Sequence, residues 1–566
     1  MISGKFVIGI DFGTLSGRAV LVNALTGEEL ATAALDYPHA VMDTHFLDGS
    51  PLPPDFALQH PGDYLQVLEY TVPKVVKDAG VSPSSVVGIG IDFTTCSPLP
   101  VYRDGMPLCF TEKFKNHPHA YVKLWKHHAA QKYANKLNEI LAEIYPSILA
   151  KYGGKISSEW MVPKVWQTLA EAPEVFDEAD YFVESADWVV WQLSGEFVRN
   201  ACMAGYKSMY VPGVGYPPRE VYAALDERLA DLPQTKLGGR VVPIATKAGG
   251  LTEAMAKKLG LVPGIAIAVA SADAHVTVPA LGIGSEGKLL AIMGTSTCHM
   301  ILGRAGEPAK IVPGMCGAVE DGIVPGFTGY EAGQSCVGDH FAWFVENLVP
   351  AEYKDAAQKK GVSIHAYLAE LADKLTPGES GVIALDWWNG NRSILVDADL
   401  TGVFLGMTLA TKPEELYRAL VEATAYGTRI IVENFIENGV PVEEFYAAGG
   451  IAEKDPFTMQ LYSDVLGMEI KISGSPQAPA LGASIFAAVA AGVYPSVSEA
   501  SAKMGKLKPL TYKPNPEAKA VYDKLYAEYK TLHDYFGRGG NDVMKRLKAI
   551  AAEAKSKITT HQKFYK

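Results

Sequence analysis

Cysteine is scarce in this chain: six in 566 residues (Cys96, Cys109, Cys202, Cys298, Cys316 and Cys336), with no C-x-x-C pair among them. That excludes a disulfide framework and a structural zinc site of the usual spacing and fits a reducing compartment. Long apolar runs are missing too. Leu261 to Ala272 comes nearest to a membrane span, but it contains Pro263 and Gly264 and then meets Asp273. The first residues, MISGKFVIGID, enter a strand pattern without the apolar core of a signal peptide. An excess of positive charge is likewise lacking. A net charge of −12 argues against nucleic acid or an anionic membrane as partner. The expectation is a cytoplasmic protein acting on small molecules, whose phosphate site, if it has one, relies on local donors.

What the chain does have is globular composition, 48% hydrophobic and 20% charged, over a length that exceeds the roughly 250–300 residues of one core. Two apolar–turn–apolar stretches stand about half a chain apart. Phe6 to Val22 reads FVIGIDFGTLSGRAVLV and Leu289 to Leu302 reads LLAIMGTSTCHMIL. Both have the pattern of a β-hairpin with a small, hydroxyl-bearing tip. Together they suggest an internal duplication in which each half offers one glycine–threonine turn. Two such turns facing each other would surround a triphosphate, with backbone N–H groups and hydroxyls directed at its oxygens. Taken singly, each is also an ordinary hairpin.

A second feature precedes the second turn. The run Ile265 to Ala270 is expected to be a strand that delivers Asp273, a candidate catalytic base; an Asp there also suits a turn or a helix cap. Asp11, at the end of the first strand, is placed to hold water-bound Mg²⁺ against a phosphate. Val86 to Phe93 is a buried strand, and ligands gather beyond the carboxyl ends of such strands, which makes Asp92 and Thr94 candidates for ligand contacts; they also suit a polar strand terminus. Tyr121 to Leu141 reads as one long helix carrying Trp125, Lys126, His127 and His128. Trp125 offers either an aromatic wall to a ligand or core packing, and the adjacent histidines diverge on a helix and so do not form a metal pair. Glu331, ahead of a helix, is a further candidate carboxylate. Gly449-Gly450 lies at a strand-to-helix junction where a flat adenine could rest, with Lys454 beyond it.

The order of these motifs resembles the FGGY family of sugar kinases: Asp11-Phe12-Gly13-Thr14, then Met293-Gly294-Thr295-Ser296-Thr297, then Ala447-Ala448-Gly449-Gly450. The likeness runs from about residue 5 to beyond residue 490. Ile91 to Thr94, Leu124 to His127, Gly205 to Lys207, Ser271 to His275 and Tyr330 to Ser335 are similar to the members that phosphorylate ribulose. The resemblance implies an α/β fold of two actin-, hexokinase- and Hsp70-like (ribonuclease H-like) domains around a central nucleotide cleft. It also implies ATP and Mg²⁺ as cofactors and transfer of the γ-phosphoryl group to the C5 hydroxyl of a ketopentose, in arabinose breakdown. By the same resemblance, Gly13, Thr14, Ser16, Arg18, Gly294, Thr295, Ser296 and Gly338 attend the nucleotide, Lys207 meets sugar oxygens, Asp92, Thr94 and Glu331 face sugar hydroxyls, and Trp125 would wall the sugar's carbon face. Two departures stand out. His127 occupies the place of an Asp in the family's Trp-x-Asp, and Gly390-Asn391-Arg392-Ser393 replaces Gly-Glu-Arg-Thr, so no role follows there.

The expected division is 1–286, 287–500 and a helical appendage over 501–566. The appendage either packs outside or forms the contact of a homodimer, and its aromatic stripe reads as core. Two other activities fit less of the sequence. One is a kinase of xylulose, glycerol or gluconate. The other is an actin- or Hsp70-like ATPase, which would have no use for Asp92, Lys207, Asp273 and Glu331 as a sugar pocket.

Overall fold

The computed structural model describes residues 4–564, with side chains through residue 555. Its strands and helices build two mixed sheets, each with its own core.

The first sheet contains β1 (Phe6–Phe12), β2 (Ser16–Asn23), β3 (Glu29–Asp36), β4 (Val86–Phe93), β5 (Lys247–Gly250), β6 (Ala266–Ala268) and the short β7 (Ser271–Ala272). Their order is β5-β6-β4-β1-β2-β3, with β7 also beside β4. The second contains β8 (Gly287–Met293), β9 (Thr297–Leu302), β10 (Gly317–Glu320), β11 (Thr328–Gln334), β12 (Val442–Ala448), β13 (Ile470–Ser473) and β14 (Leu507–Tyr512), in the order β10-β11-β9-β8-β12-β13-β14. Both sheets repeat one scheme. An antiparallel run of three strands (β3-β2-β1 and β11-β9-β8) ends on the first strand of a tight hairpin, which then pairs in parallel with β4 or β12. The repeat expected from the two glycine–threonine hairpins is therefore present in the topology, and the family's two-domain α/β architecture is observed.

β1 and β4 are buried along almost their whole length, in keeping with strands covered on both faces. α1 (Pro61–Asp78) covers one face. Further helices that bear on the site are α2 (Gln131–Ile144), α3 (Met161–Glu171), α4 (Ala201–Ser208), α5 (Asp273–Ala280), α6 (Gly338–Asn347), α7 (Pro413–Glu437), α8 (Gly450–Lys454) and α9 (Pro456–Leu466).

Chain order and packing part company near the C-terminus. α10 (Ala478–Ala490) and α11 (Val497–Met504) lie in sequence between β13 and β14 of the second sheet yet join the first core. α10 is built of small residues because it lies directly on backbone: a Cβ on Gly90 of β4 would stand 1.9 Å from the Ala483 carbonyl oxygen. After residue 500, β14 extends the second sheet. Tyr522, Tyr526 and Tyr529 of α12 (Pro516–Gly537) are buried in the second core, as the aromatic stripe suggests. A last helix, α13 (Val543–Phe564), carries exposed Leu547 and Ile550.

The single long helix expected over 121–141 is not formed. Val122–Lys123 is a short strand against Leu58–Gln59, a turn follows, and α2 begins only at Gln131. The backbone explains this. The N–H groups of Leu124, His128 and Ala129 donate to carbonyls of Ala57 and Asp55, so they have no helical i−4 partners. His127 is drawn inward, where its Nδ1 accepts from the Ala57 N–H and its Nε2 lies 2.8 Å from Gln167 Oε1. Among the described residues, no helix is long and apolar enough to cross a membrane.

Candidate active site

The carboxyl ends of β1 and β4 and the tips of the two hairpins open on one cleft of about 430 Å³ between the sheets. Asp11, Gly13, Thr14, Thr94, Trp125, Lys207, Asp273, Gly294, Thr295, Ser296 and Glu331 all line it. Residues from two halves of the sequence therefore converge on one space.

The first hairpin tip is tightly braced. The Gly13 N–H donates to the Ser16 carbonyl at 3.0 Å. The Tyr37 hydroxyl donates to the Gly13 carbonyl at 2.9 Å, and Gln59 Nε2 donates to the Thr14 carbonyl at 2.7 Å. Trp125, in the turn before α2, directs its indole N–H to Thr14 Oγ1 at 3.1 Å. The second tip closes through the Gly294 N–H to the Ser296 carbonyl at 2.9 Å. Gly338 does not line the cleft but stands behind this tip. Its N–H donates to the Gly294 carbonyl, and a Cβ there would come within 2.6 Å of that oxygen. Gly449 is set back in the same manner, at φ 92° and against the Met293 carbonyl, whereas Gly450 faces open space at the start of α8. Lys454 ends that helix, away from the lining residues.

Three carboxylates gather at the floor. Asp11 and Asp92 are in register on the parallel strands β1 and β4, and β7 brings Asp273 alongside. Asp92 is fully buried with no hydrogen-bond donor to its carboxylate, and it lies behind the cleft wall rather than on it. Burial, and then the charges of Asp11 and Asp273, push its pKa well above the usual carboxylate range. Asp11 is raised as well: burial outweighs Arg18, whose Nε lies 3.3 Å from Asp11 Oδ2. Arg18 also reaches Ser16 Oγ and Gln477, so Ser16 and Arg18 brace each other beside the cleft. Asp273 is the first residue of α5. Burial and the charge of Asp11 push its carboxyl to about 7, against the pull of the Ala274 N–H at 2.6 Å.

The other end of the cleft is built from opposite charges. Glu331, on β11, faces His275 Nε2 at 3.3 Å and Arg392 at 3.8 Å. Burial alone would raise its pKa, but Lys207, His275 and Arg392 hold it far below the usual range. Lys207, in the last turn of α4, keeps a raised pKa despite burial because Glu331 and Glu159 lie near it. Arg392 comes from the second half of the chain and also approaches Glu159 of the first, at 4.0 Å.

Glu159, His275, Thr277, Cys298 and Arg392 line the cleft without having been singled out as site residues from the sequence. His275 and Arg392 lie inside motifs of the family resemblance, two residues after Asp273 and within Gly390-Asn391-Arg392-Ser393. Glu159 opens a stretch, 159–170, that reads as a helix and resembles a family signature too loosely to carry a role; the helix itself begins at Met161. The thiols are poor nucleophiles here: burial pushes Cys298 up to about 12 and raises Cys96 far beyond the normal range. His127, buried against Gln167, is pulled down to about 2, chiefly by burial, and stays neutral.

Comparison with known proteins places this arrangement. The model of the FGGY family of carbohydrate kinases, N-terminal domain, matches residues 6–280, and that of the C-terminal domain matches residues 289–491. A ribulokinase of Bacillus licheniformis is 58% identical, covering 95% of this chain and 97% of the relative. A ribulokinase of Geobacillus thermodenitrificans is 56% identical over 98% and 99%. Among solved structures, a xylulose kinase from Rhodospirillum rubrum superposes with a TM-score of 0.78 at 22% identity, covering 94% of this chain and 98% of that one, which speaks for the shared fold.

Proposed function

This chain belongs to the FGGY family of carbohydrate kinases, and from that premise we propose that it is a ribulokinase, transferring the γ-phosphoryl group of ATP to the C5 hydroxyl of L-ribulose in arabinose degradation. The substrate class follows from the ribulokinases that match over nearly their full length. The observation that carries the chemistry is Asp273: a cleft-lining carboxylate poised at about 7 between two glycine–threonine turns and a charged sugar end.

A sugar hydroxyl is a weak nucleophile at neutral pH. Asp273 accepts its proton as the new P–O bond forms and the bond to the ADP oxygen breaks, a contribution of typically ~10²–10⁴ in rate. The backbone N–H groups and hydroxyls around Thr14 and around Thr295 and Ser296 cradle the phosphates, and positioning with electrostatic stabilisation supplies most of the rest. Lys207 and Glu331 offer a donor and an acceptor to the sugar hydroxyls, with Thr94 at the strand end and Trp125 on the wall. Gly450 gives adenine a bare backbone to lie on, and Gly338 and Gly449 keep the second turn in shape.

The floor fits a divalent cation. Asp92 has no donor, and burial raises both Asp11 and Asp92, a cost to their charged forms that a cation would offset. Asp11 would hold Mg²⁺ through its carboxylate with Asp92 behind it, and the ion would supply charge neutralisation on the phosphates.

The test is ADP release with Mg-ATP against L-ribulose, D-ribulose, both xyluloses, glycerol and gluconate. Preference for ribulose is expected. Turnover of glycerol or gluconate alone would overturn the ketopentose assignment, and ADP release indifferent to every polyol would overturn the kinase mechanism.

A further inference from the structure

His275 is in the cleft lining, two residues from the proposed base, and the phosphoryl-transfer scheme above gives it no task. Its surroundings are specific. The ring is 2% exposed. Nδ1 meets Cys202 Sγ of α4 at 2.9 Å, and Nε2 faces Glu331 of β11 at 3.3 Å. One face packs on the Tyr206 ring, with centroids 4.4 Å apart. Both nitrogens and one ring face are thus engaged, by α4 of the first domain and β11 of the second. α4 also carries Lys207.

From this geometry we infer that His275 is a positioning residue for the sugar: held by Cys202 and Tyr206, it fixes the Glu331 carboxylate in the orientation that accepts from a sugar hydroxyl. The inference rests on the reading of this cleft as a ketopentose site. The physics is that of a buried carboxylate with several rotamers. Arg392 is 3.8 Å away and partly exposed, so it steers Glu331 by charge but does not fix its plane. A ring held by Cys202 and Tyr206 keeps Nε2 in one fixed place, 3.3 Å from the carboxylate and nearer than Arg392, and so constrains its orientation more. Burial would pull the ring's pKa down, yet Cys202 and Glu331 hold it up at about 10, which agrees with a donor that persists through neutral pH.

The experiment compares His275→Gln, which retains an amide donor, with His275→Leu, which does not, and Cys202→Ser with Cys202→Ala. Loss of this close charged contact should raise the KM for ribulose about tenfold in His275→Leu while the KM for Mg-ATP stays within about twofold. His275→Gln should recover part of the loss, and Cys202→Ser should stay nearer the wild type than Cys202→Ala. A His275→Leu enzyme with an unchanged sugar KM would overturn the inference. So would equal rises in both KM values with no rescue by Gln, the mark of a general packing defect.

A second measurement does not depend on turnover. The ring ¹⁵N signals of His275, identified by their absence from His275→Gln, should shift in Glu331→Gln. Signals indifferent to that change would overturn the clamp. A wild-type enzyme that phosphorylates no ketopentose would sink the functional reading instead, leaving the clamp to be judged on these signals.

Discussion

Asp11 and Asp92 stand opposite each other, in register on parallel strands, with Asp273 delivered beside them and Arg18 the cation at contact distance from Asp11. Three carboxylates and one guanidinium leave the cleft floor short of positive charge. This imbalance links stability to pH. Asp92 and Asp273 have pKa values raised from 3.8 in the folded state, the latter to about 7. Between those limits the native protein holds more protons than the unfolded chain. The stabilisation is complete below the unfolded value and is lost as pH rises through the folded one. In metal-free buffer the melting temperature should therefore fall from pH 5 to pH 8 through this cluster. Asp92→Asn should flatten that fall and reduce the stabilisation that added Mg²⁺ gives at pH 8. A melting curve with the same pH slope in both proteins would refute the linkage.

Asp273→Asn should keep the fold and the binding of both substrates, because the amide is isosteric and Thr277 Oγ1 donates to the Asp273 backbone carbonyl, which is untouched. Its kcat should drop by ~10²–10⁴, the scale of general-base catalysis. In the wild type, kcat/KM for the sugar should decline on the acid side with a midpoint near the pKa of about 7. Stopped assays across pH 5.5–9 read both quantities. Normal turnover by a folded Asp273→Asn enzyme would remove Asp273 from the proton transfer.

How much of this was legible in the sequence follows from what is local. The two hairpins, the strand ending at Asp92 and the helix over residues 413–438 announce themselves through period-2 or period-3.6 patterns and turn residues, and the structure has them. The stretch from Tyr121 to Leu141 shows the limit. Its apolar spacing suits a helix, but the carbonyls that claim its N–H groups come from residues 55–57, a contact no local pattern encodes. Glu159 and Arg392 illustrate the same point at the cleft, since their significance lies in an approach across 233 residues. α10 was legible as a close-packing helix, but the sheet it packs on belongs to the other half of the chain.

Arg392 joins the two halves at the end of the cleft proposed for the sugar, 4.0 Å from Glu159 and 3.8 Å from Glu331. A cation between two carboxylates on opposite walls draws the walls together when a polar ligand excludes water. Arg392→Gln should raise the KM for ribulose by about tenfold and leave the KM for ATP nearly unchanged. Glu159→Gln should act in the same direction and more weakly, because Glu331 still faces the arginine. Steady-state kinetics with each substrate varied in turn decide this. Equal effects on both substrates would mean that Arg392 serves the fold rather than the sugar end.

Gly482 is one place where the two halves of the sequence meet backbone to backbone. It lies in α10 and faces α5, the helix that starts with Asp273, and a Cβ there would stand 1.9 Å from the Val276 carbonyl oxygen. The obstructing atom is backbone inside a helix, so no side-chain rotation relieves it. Gly482→Ala must push α5 and α10 apart, and it should destabilise the protein by about 3 kcal/mol, the upper part of the range for overpacked cores. The same displacement moves Asp273 relative to the phosphate turns, which belong to β1–β2 and β8–β9. In the fraction that remains folded, kcat should therefore fall more than the KM for ATP rises, since a misplaced base weakens the transition state without removing the nucleotide's contacts. Chemical denaturation gives the stability change, and active-site-normalised kinetics give the rest. A Gly482→Ala protein with wild-type stability and kcat would show that α5 and α10 can separate freely, and that the close approach seen between them does not hold the base in place.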